Sequence, residues 1–396
     1  MLNKKGEREL VYIVLIDDIL PIEGAENVEL AVVGGWRIMV RKGQFNVGDM
    51  AIYFEIDSKV PETEPFMFLA AKHFKVKTQK YFKGTVISQG LLMHPNDFGW
   101  TAAEDRIVAS NKIYFVGDFL TKDLGVTYAD AEDNKRKANS ADKYKVMAQR
   151  RPNIFKKPWA RWMMKRNWGR KIMFLLFGRK KDKRSAWPAW VSKTDEERVQ
   201  NMAWILNDKS EWLATEKIDG TSTTATLRMK GRKKYDFYIC SRNVVFDKPD
   251  KKCFYETNVY TEMAEKYDFE KVLLDLCKRF NLEWATIQGE TYGAGIQKRE
   301  YGLKGHDFMA FNLIFSDKGR LNSAEAANLL KEYNIPWVPI VSHHFILPDT
   351  VEELLAIATD KSVIDGGMRE GLVFRSPDGT RSFKAVSNEF LLKYHN

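Results

Sequence analysis

The residues of this chain best suited to covalent chemistry are Lys217 and Asp219, set in Glu216-Lys217-Ile218-Asp219-Gly220-Thr221-Ser222. A lysine amine attacks an electrophile only when neutral, a rare state near pH 7 for a group whose ordinary pKa is about 10.4. Desolvation, or a nearby positive charge such as a metal ion, lowers that pKa and frees the lone pair. A carboxylate two residues on can hold a hydrated divalent cation, and the following glycine permits close backbone approach. Alone, Lys217-Ile218-Asp219-Gly220 reads more readily as a surface hairpin turn. Its weight comes from the elements downstream of it, in a fixed order: Ser241-Arg242-Asn243, Gln288-Gly289-Glu290-Thr291-Tyr292-Gly293, the run Phe308 to Asn312, Glu370-Gly371-Leu372-Val373 and Ser382-Phe383-Lys384. Singly, Arg242 is a strand-end charge, Glu290 a solvated turn residue and Phe311 a core aromatic.

The elements that must carry these residues form an α+β pattern. Helical spacing is expected over Glu196 to Leu206, Asn258 to Phe280, Ser323 to Tyr333 and Val351 to Ala358. Strands are expected over Thr223 to Met229, Phe237 to Ser241, Trp284 to Gly289, Asp307 to Phe315 and Gly371 to Arg375. Strict βαβ alternation is absent, as are internal repeats and Gly-rich phosphate loops. Upstream, Val11 to Ile16, Val28 to Val33, Trp36 to Val40 and Ala51 to Ile56 read as short strands. Gly34-Gly35, Gly43 and Gly48-Asp49 punctuate them, as in a small barrel or sandwich.

With 396 residues, 44% of them hydrophobic and 13% aromatic, the chain can build two or three cored domains. A net charge of +10 favours an acidic polymer or phosphate-rich ligand. Cys240, Cys253 and Cys277 are odd in number and lack metal-type spacing. A reducing cytoplasm is therefore expected, without disulfides or structural zinc. The apolar run Leu10 to Ile16 ends at Asp17-Asp18 with no cleavage pattern, and no run approaches transmembrane length, so no stable membrane insertion is expected. The segment from Tyr128 to Arg184 turns strongly basic: between Lys143 and Arg184 the only acidic residue is Asp182, and Trp159, Trp162, Trp168 and the run Ile172 to Phe177 lie among the cations. Three readings stay open there: contact with nucleic acid, structural packing as an amphipathic helix, or an acidic membrane surface.

The ordered motif set resembles the covalent nucleotidyltransferases, the superfamily of ATP-dependent ligases and RNA-capping enzymes. The run Gly289 to Lys298, with Asp307 to Ile314 and Glu216 to Ser222, is similar to ATP-dependent RNA ligases of the second phage type. Leu30 to Trp36, Lys42 to Asp49, Tyr53 to Ser58 and Lys193 to Asn201 resemble the Deinococcus/Naegleria type, in which an OB-fold domain precedes the nucleotidyltransferase domain. The resemblance implies an ATP-grasp-like domain of antiparallel sheets and helices at 186–396, an OB-like nucleic-acid-binding domain at 1–127, and a basic aromatic linker or insert at 128–185. Only twelve residues come after Lys384, which argues against the DNA ligase and capping branches, whose C-terminal OB domain would need that space.

The same resemblance implies roles. Lys217 is the nucleophile that takes AMP from ATP, and Arg242 contacts nucleotide or incoming phosphate. Glu290 binds the ribose hydroxyls, Phe311 stacks on the base, and Glu370 is linked to the metal. Lys384 stabilises charge on the α-phosphate, while Glu216, Ile218 and Ser222 complete the nucleotide site. Asp219, Glu290 and Glu370 would position hydrated Mg²⁺ or Mn²⁺. The expected partner is RNA with 3′-OH and 5′-phosphate ends, as at a nick in a duplex. The chain departs from the pattern in two places. Lys384 is flanked by Ser382 and Val386 where a Lys-x-Lys pair is usual, so Lys193 and Arg198 are candidates for the missing phosphate contact. Asn312 stands where many ligases have Asp, which implies altered hydrogen bonding or metal support with activity kept. The rival readings are a DNA nick ligase, an adenylyltransferase with another acceptor, and a non-catalytic RNA-binding protein derived from a ligase.

Overall fold

A computed structural model describes residues 8–109, 112–129, 152–177, 187–231, 234–242, 244–246 and 258–394. Asn243, Cys253 and the basic residues Arg150 and Arg151 fall outside these. In the N-terminal part, the strand Met50–Phe54 pairs antiparallel with Val11–Leu15 and with Leu91–Met93. Side chains on a strand alternate between faces. Val11, Ile13, Ile52 and Phe54 accordingly enter one core with Phe66, Phe74 and Leu120, while Tyr12, Val14, Ala51 and Tyr53 enter another with Trp36, Ile38 and Phe45. Both faces are buried, which is why Leu10 to Ile16 is apolar without alternation. A second antiparallel sheet runs Asp18–Pro21, Val28–Val33, Trp36–Arg41. Its tight hairpin sets Val33 opposite Trp36 across Gly34 and Gly35, both at positive φ. Short strands and 3₁₀ turns between residues 58 and 128, among them Met67–Lys72 and the hairpin Gln79–Tyr81/Val86–Ser88, complete this β-rich part.

Among the described residues that follow, three helices form, Pro152–Phe155, Pro158–Met164 and Asn167–Phe177. The remainder is α+β, as expected, and built on two antiparallel sheets. The larger has six strands in the order Val245–Phe246, Tyr235–Cys240, Thr221–Met229, Trp284–Gly293, His306–Phe315, Gly319–Arg320. Helices Val259–Lys266, Phe269–Arg279 and Ser323–Lys331 cover one face of it, with Phe269, Leu273 and Leu276 against Leu227, Ala285 and Ile287. The smaller sheet runs Ile340–Ile346, Glu211–Lys217, Gly371–Arg375, Ser382–Val386 and packs Trp212, Leu372 and Phe374 against helix Val351–Ala358. The α+β reading holds.

Two helix expectations need correction. Asn258 to Phe280 is not one helix, because Asp268 takes a left-handed backbone (φ 47°) that ends Val259–Lys266 and starts Phe269–Arg279. Glu196 to Leu206 forms only the 3₁₀ turns Val199–Asn201 and Ala203–Asn207. Its first residues are instead extended alongside the last strand, where Lys384 N donates to Glu197 O and Arg198 bridges Lys384.

The N-terminal part docks on this α+β unit. Ile87 packs with Val386 and Leu391, Lys80 Nζ donates to Leu392 O at 2.6 Å, and the Arg198 guanidinium lies over the Trp36 ring.

Candidate active site

Lys217 ends the Glu211–Lys217 strand of the smaller sheet, and Thr221 begins a central strand of the larger one. Residues 218–220 therefore carry the chain from one sheet to the other and line the cleft between them. Gly220 is required by space: a Cβ there would lie 2.3 Å from Thr291 O. Tyr301 Oη accepts from Asp219 N at 2.8 Å, and Gln297 Nε2 donates to Gly220 O at 3.2 Å, pinning the crossover.

The cleft holds about 380 Å³. It is lined by Glu216 through Ser222, Arg242, Glu290, Phe311, Glu370 and Lys384 from the expected set, and also by Thr194, Asp195, Val338 and Arg375. Strand pairing produces this convergence: Ser222 lies opposite Glu290, Lys217 opposite Gly371, and Val373 opposite Lys384. Lys217 Nζ is 2.6 Å from Glu370 Oε2, with 24% of the lysine side chain open to the cleft. A larger cleft of about 720 Å³ is lined by Asp17, Asp18 and Arg37 from the N-terminal part and by Glu352, Leu355 and Ala356 of the helix Val351–Ala358, but it has no lysine to serve as nucleophile.

The electrostatics are those of a crowded carboxylate site. Burial, with Glu370 and Asp219 nearby, pushes Glu290 up to about 8 against the pull of Lys217. Burial draws the Lys217 ammonium down, but Glu370, Glu290 and Asp219 outweigh it and the net shift is upward. The lowered amine pKa expected from the sequence is thus not a property of the protein alone. It requires positive charge brought in to offset those carboxylates. Lys384 is pushed down to about 8 by burial and by Lys217 and Arg198. Glu216 is raised by burial; one oxygen accepts from Val363 N, and the other, buried, has no hydrogen-bond partner.

Ile218 belongs to the floor, packed with Tyr292, Tyr301 and Val338, and half-buried Phe311 joins that cluster and lines the cleft. Ser222 shares a hydroxyl contact of 2.8 Å with Thr194. Arg242 pairs with Asp195 at 2.9 Å; both are more than half exposed, so the pair is loose and free to exchange for a phosphate.

The two candidates for the missing cation do not line the cleft. Lys193 is exposed outside it. Arg198 stacks on Trp36, and burial lowers its pKa. The cation that does line it is Arg375, which sequence reasoning missed. Its guanidinium is buried and makes only long bonds of 3.4 Å to Thr215 Oγ1 and Asn312 Oδ1. Asn312 also donates to Gln288 Oε1 at 2.9 Å, so the hydrogen bonding here is that of an amide. An aspartate at 312 would have tied Arg375 down as an ion pair. With asparagine its charge stays available to the cleft.

Asp219, Glu290 and Glu370 suit a hard divalent cation by donor type. Among the described residues no three such side chains converge closely enough to chelate an ion unaided. A hydrated ion that also takes oxygens from a bound ligand meets that requirement.

Residues 210–395 match the family model for RNA ligase, and residues 10–95 match a model for an OB-fold domain. No curated protein matches the chain. The Naegleria gruberi RNA ligase solved with PPi is 28% identical, with 98% of this chain and 99% of that chain covered at a TM-score of 0.65. A point variant of that enzyme with ATP and Mn is also 28% identical, covers 98% and 100% and has a TM-score of 0.66. Another, with AMP and Mn, gives 28%, 98%, 99% and 0.66.

Proposed function

The chain belongs to the RNA ligase family, an α+β ligase domain preceded by an OB-fold domain, and from that we propose that it seals RNA 3′-OH and 5′-phosphate ends with ATP through a covalent Lys217–AMP intermediate. The observation that carries the proposal is Lys217 held 2.6 Å from Glu370 in one cleft with Glu290, Asp219, Arg242, Arg375 and Lys384.

Lys217 Nζ attacks the α-phosphorus of ATP, an N–P bond forms as the bond to pyrophosphate breaks, and the amine proton leaves towards Glu370. The adenine sits between Phe311 and Val338 on the floor made by Ile218. The RNA 5′-phosphate then attacks the lysine-bound phosphorus and releases Lys217. Finally a 3′-OH attacks the adenylylated end and expels AMP. Phosphoryl transfer of this kind is governed by positioning and charge neutralisation, which Arg242, Arg375 and Lys384 supply. Asp219, Glu290 and Glu370 would hold a divalent cation, which would supply positive charge beside Lys217 to offset these carboxylates.

Residues 1–127 serve as the OB-like RNA-holding domain and 186–396 as the adenylyltransferase domain, with 128–185 as a basic insert between them. The substrate is a nicked duplex. Buried Cys240 and Cys277, whose thiols burial pushes up to about 12 and about 11, accord with work in a reducing cytoplasm.

Incubation with α-phosphate-labelled ATP and Mg²⁺ or Mn²⁺, read on a denaturing gel, is the test. The expected result is label on the wild type and none on Lys217→Ala, stable to base and released by acid. Label on Lys217→Ala, or none on folded, AMP-free wild type under either metal, overturns the reading.

A further inference from the structure

We propose that the three-helix segment 152–177 docks the protein on the surface of an anionic phospholipid bilayer. Helices Pro152–Phe155, Pro158–Met164 and Asn167–Phe177 fold around a small core of their own, made by Phe155, Ala160 and Met173 with Met163, Met164 and Phe177 against it. That core occupies one side of the last helix. Elsewhere on the same helix Trp168, Ile172 and Leu175 recur at i, i+4 and i+7 with Leu176 beside them, and all are exposed, Leu175 by 83% and Leu176 by 64%. An apolar stripe at that spacing marks the side of a helix that faces a partner. Here the inner side is already packed, so the stripe has no partner among the described residues. Exposed Trp159 and Trp162 extend it onto the preceding helix, where the Trp162 ring meets Trp168 edge-on at 5.8 Å.

Charge selects the partner. Residues 152–177 contain seven Lys and Arg and no Asp or Glu. A second copy would bring like charge to like. RNA is anionic, but Ile172, Leu175 and Leu176 have no π-face for a base and no donor for a phosphate. Binding RNA would leave their surface in water. A bilayer takes all three classes of side chain at once. The aliphatic groups enter the acyl boundary, tryptophans sit at headgroup depth, and Lys and Arg reach lipid phosphates. The Arg166 guanidinium already rests 3.9 Å from the Trp162 ring centre, a cation placed at the rim of the apolar patch. Among the described residues no helix is long and apolar enough to cross a membrane, so the segment lies on the surface.

The test is flotation of the full-length protein with vesicles of equimolar phosphatidylglycerol and phosphatidylcholine, and with phosphatidylcholine alone. The protein should float with the anionic vesicles only, and brominated acyl chains should quench its tryptophan fluorescence. Leu175→Ser with Leu176→Ser should weaken vesicle binding about tenfold or more while thermal stability and RNA binding stay unchanged. Both leucines lie on the surface, so this variant keeps the fold. Wild type that fails to float overturns the proposal, as does a serine variant that floats equally well, because charge alone would then explain the binding. Lost RNA affinity in the variant would assign the stripe to RNA, and a wild-type dimer that the variant dissolves would assign it to a second copy; either result overturns the proposal.

Discussion

Lys217 Nζ and Glu370 Oε2 meet at 2.6 Å because neighbouring strands set Lys217 opposite Gly371, one residue beyond the glutamate. The contact orients the amine and keeps it protonated until other positive charge enters the cleft. Glu370→Gln preserves shape and removes that charge. Single-turnover labelling with ATP should then slow by about a hundredfold or more, the scale for loss of one preorganised electrostatic group. Circular dichroism and Tm should be close to wild type. An unchanged labelling rate would show that Glu370 has no part in the step.

Lys384 is pushed down to about 8 from an ordinary value near 10.5. Between those values the unfolded chain binds more protons than the folded one, so stability contributed by this group rises with pH across that window. Phosphate beside the amine restores its charge. Binding of ATP at about pH 9 should therefore take up protons, measurable by calorimetry in buffers of differing ionisation enthalpy. Lys384→Met should abolish the uptake and weaken binding. Uptake that persists in the variant would place the titrating group elsewhere.

Arg375 is a buried charge whose nearest hydrogen bonds are long and to neutral partners, and burial pushes it down to about 10. The carboxylate that favours its charge, Glu196, already accepts from the Ser382 hydroxyl. Such a group costs stability unless a ligand uses it. Arg375→Met should raise the apo protein's stability by about 1 kcal/mol or more while weakening ATP binding about tenfold or more. A fall in both would make Arg375 a structural residue.

What could be read from the residues divides by physical cause. Val28–Val33, Val351–Ala358 and Gly371–Arg375 have the bounds their apolar pattern predicts, because the helix buries one regular face and the two strands are short, largely buried runs. The break at Asp268 carries no glycine or proline to announce it, and the apolar positions continue on either side. Glu196 to Leu206 has helical spacing, yet its Val199, Ile205 and Leu206 reach the core from 3₁₀ turns, since the preceding residues are held extended beside Lys384. The Lys217, Asp219, Glu290, Phe311, Glu370 and Lys384 set is brought together by strand register, which local sequence does not reveal. Arg375 was hidden as the last residue of an apolar strand. A cation on the same face as Val373, next to a motif short of one lysine, was the available signal.

The docking of the N-terminal β part on the ligase domain yields a prediction that separates the steps. Gly35 closes the Val33/Trp36 hairpin at φ +79°, and a Cβ there would lie 2.4 Å from Cγ1 of Val351 at the start of its helix. Gly35→Ala therefore carries two penalties, a left-handed backbone and an overpacked interface, together about 1–4 kcal/mol. Every residue that lines the Lys217 cleft lies between Thr194 and Lys384, beyond the hairpin. Labelling by ATP should survive in the variant, while the proposed RNA sealing should fall. Adding Val351→Ala relieves the interface but not the backbone, so it should recover part of the lost sealing and only part of the lost Tm. Sealing that is unaffected by Gly35→Ala would show that the hairpin contact does not hold the two domains in their working arrangement.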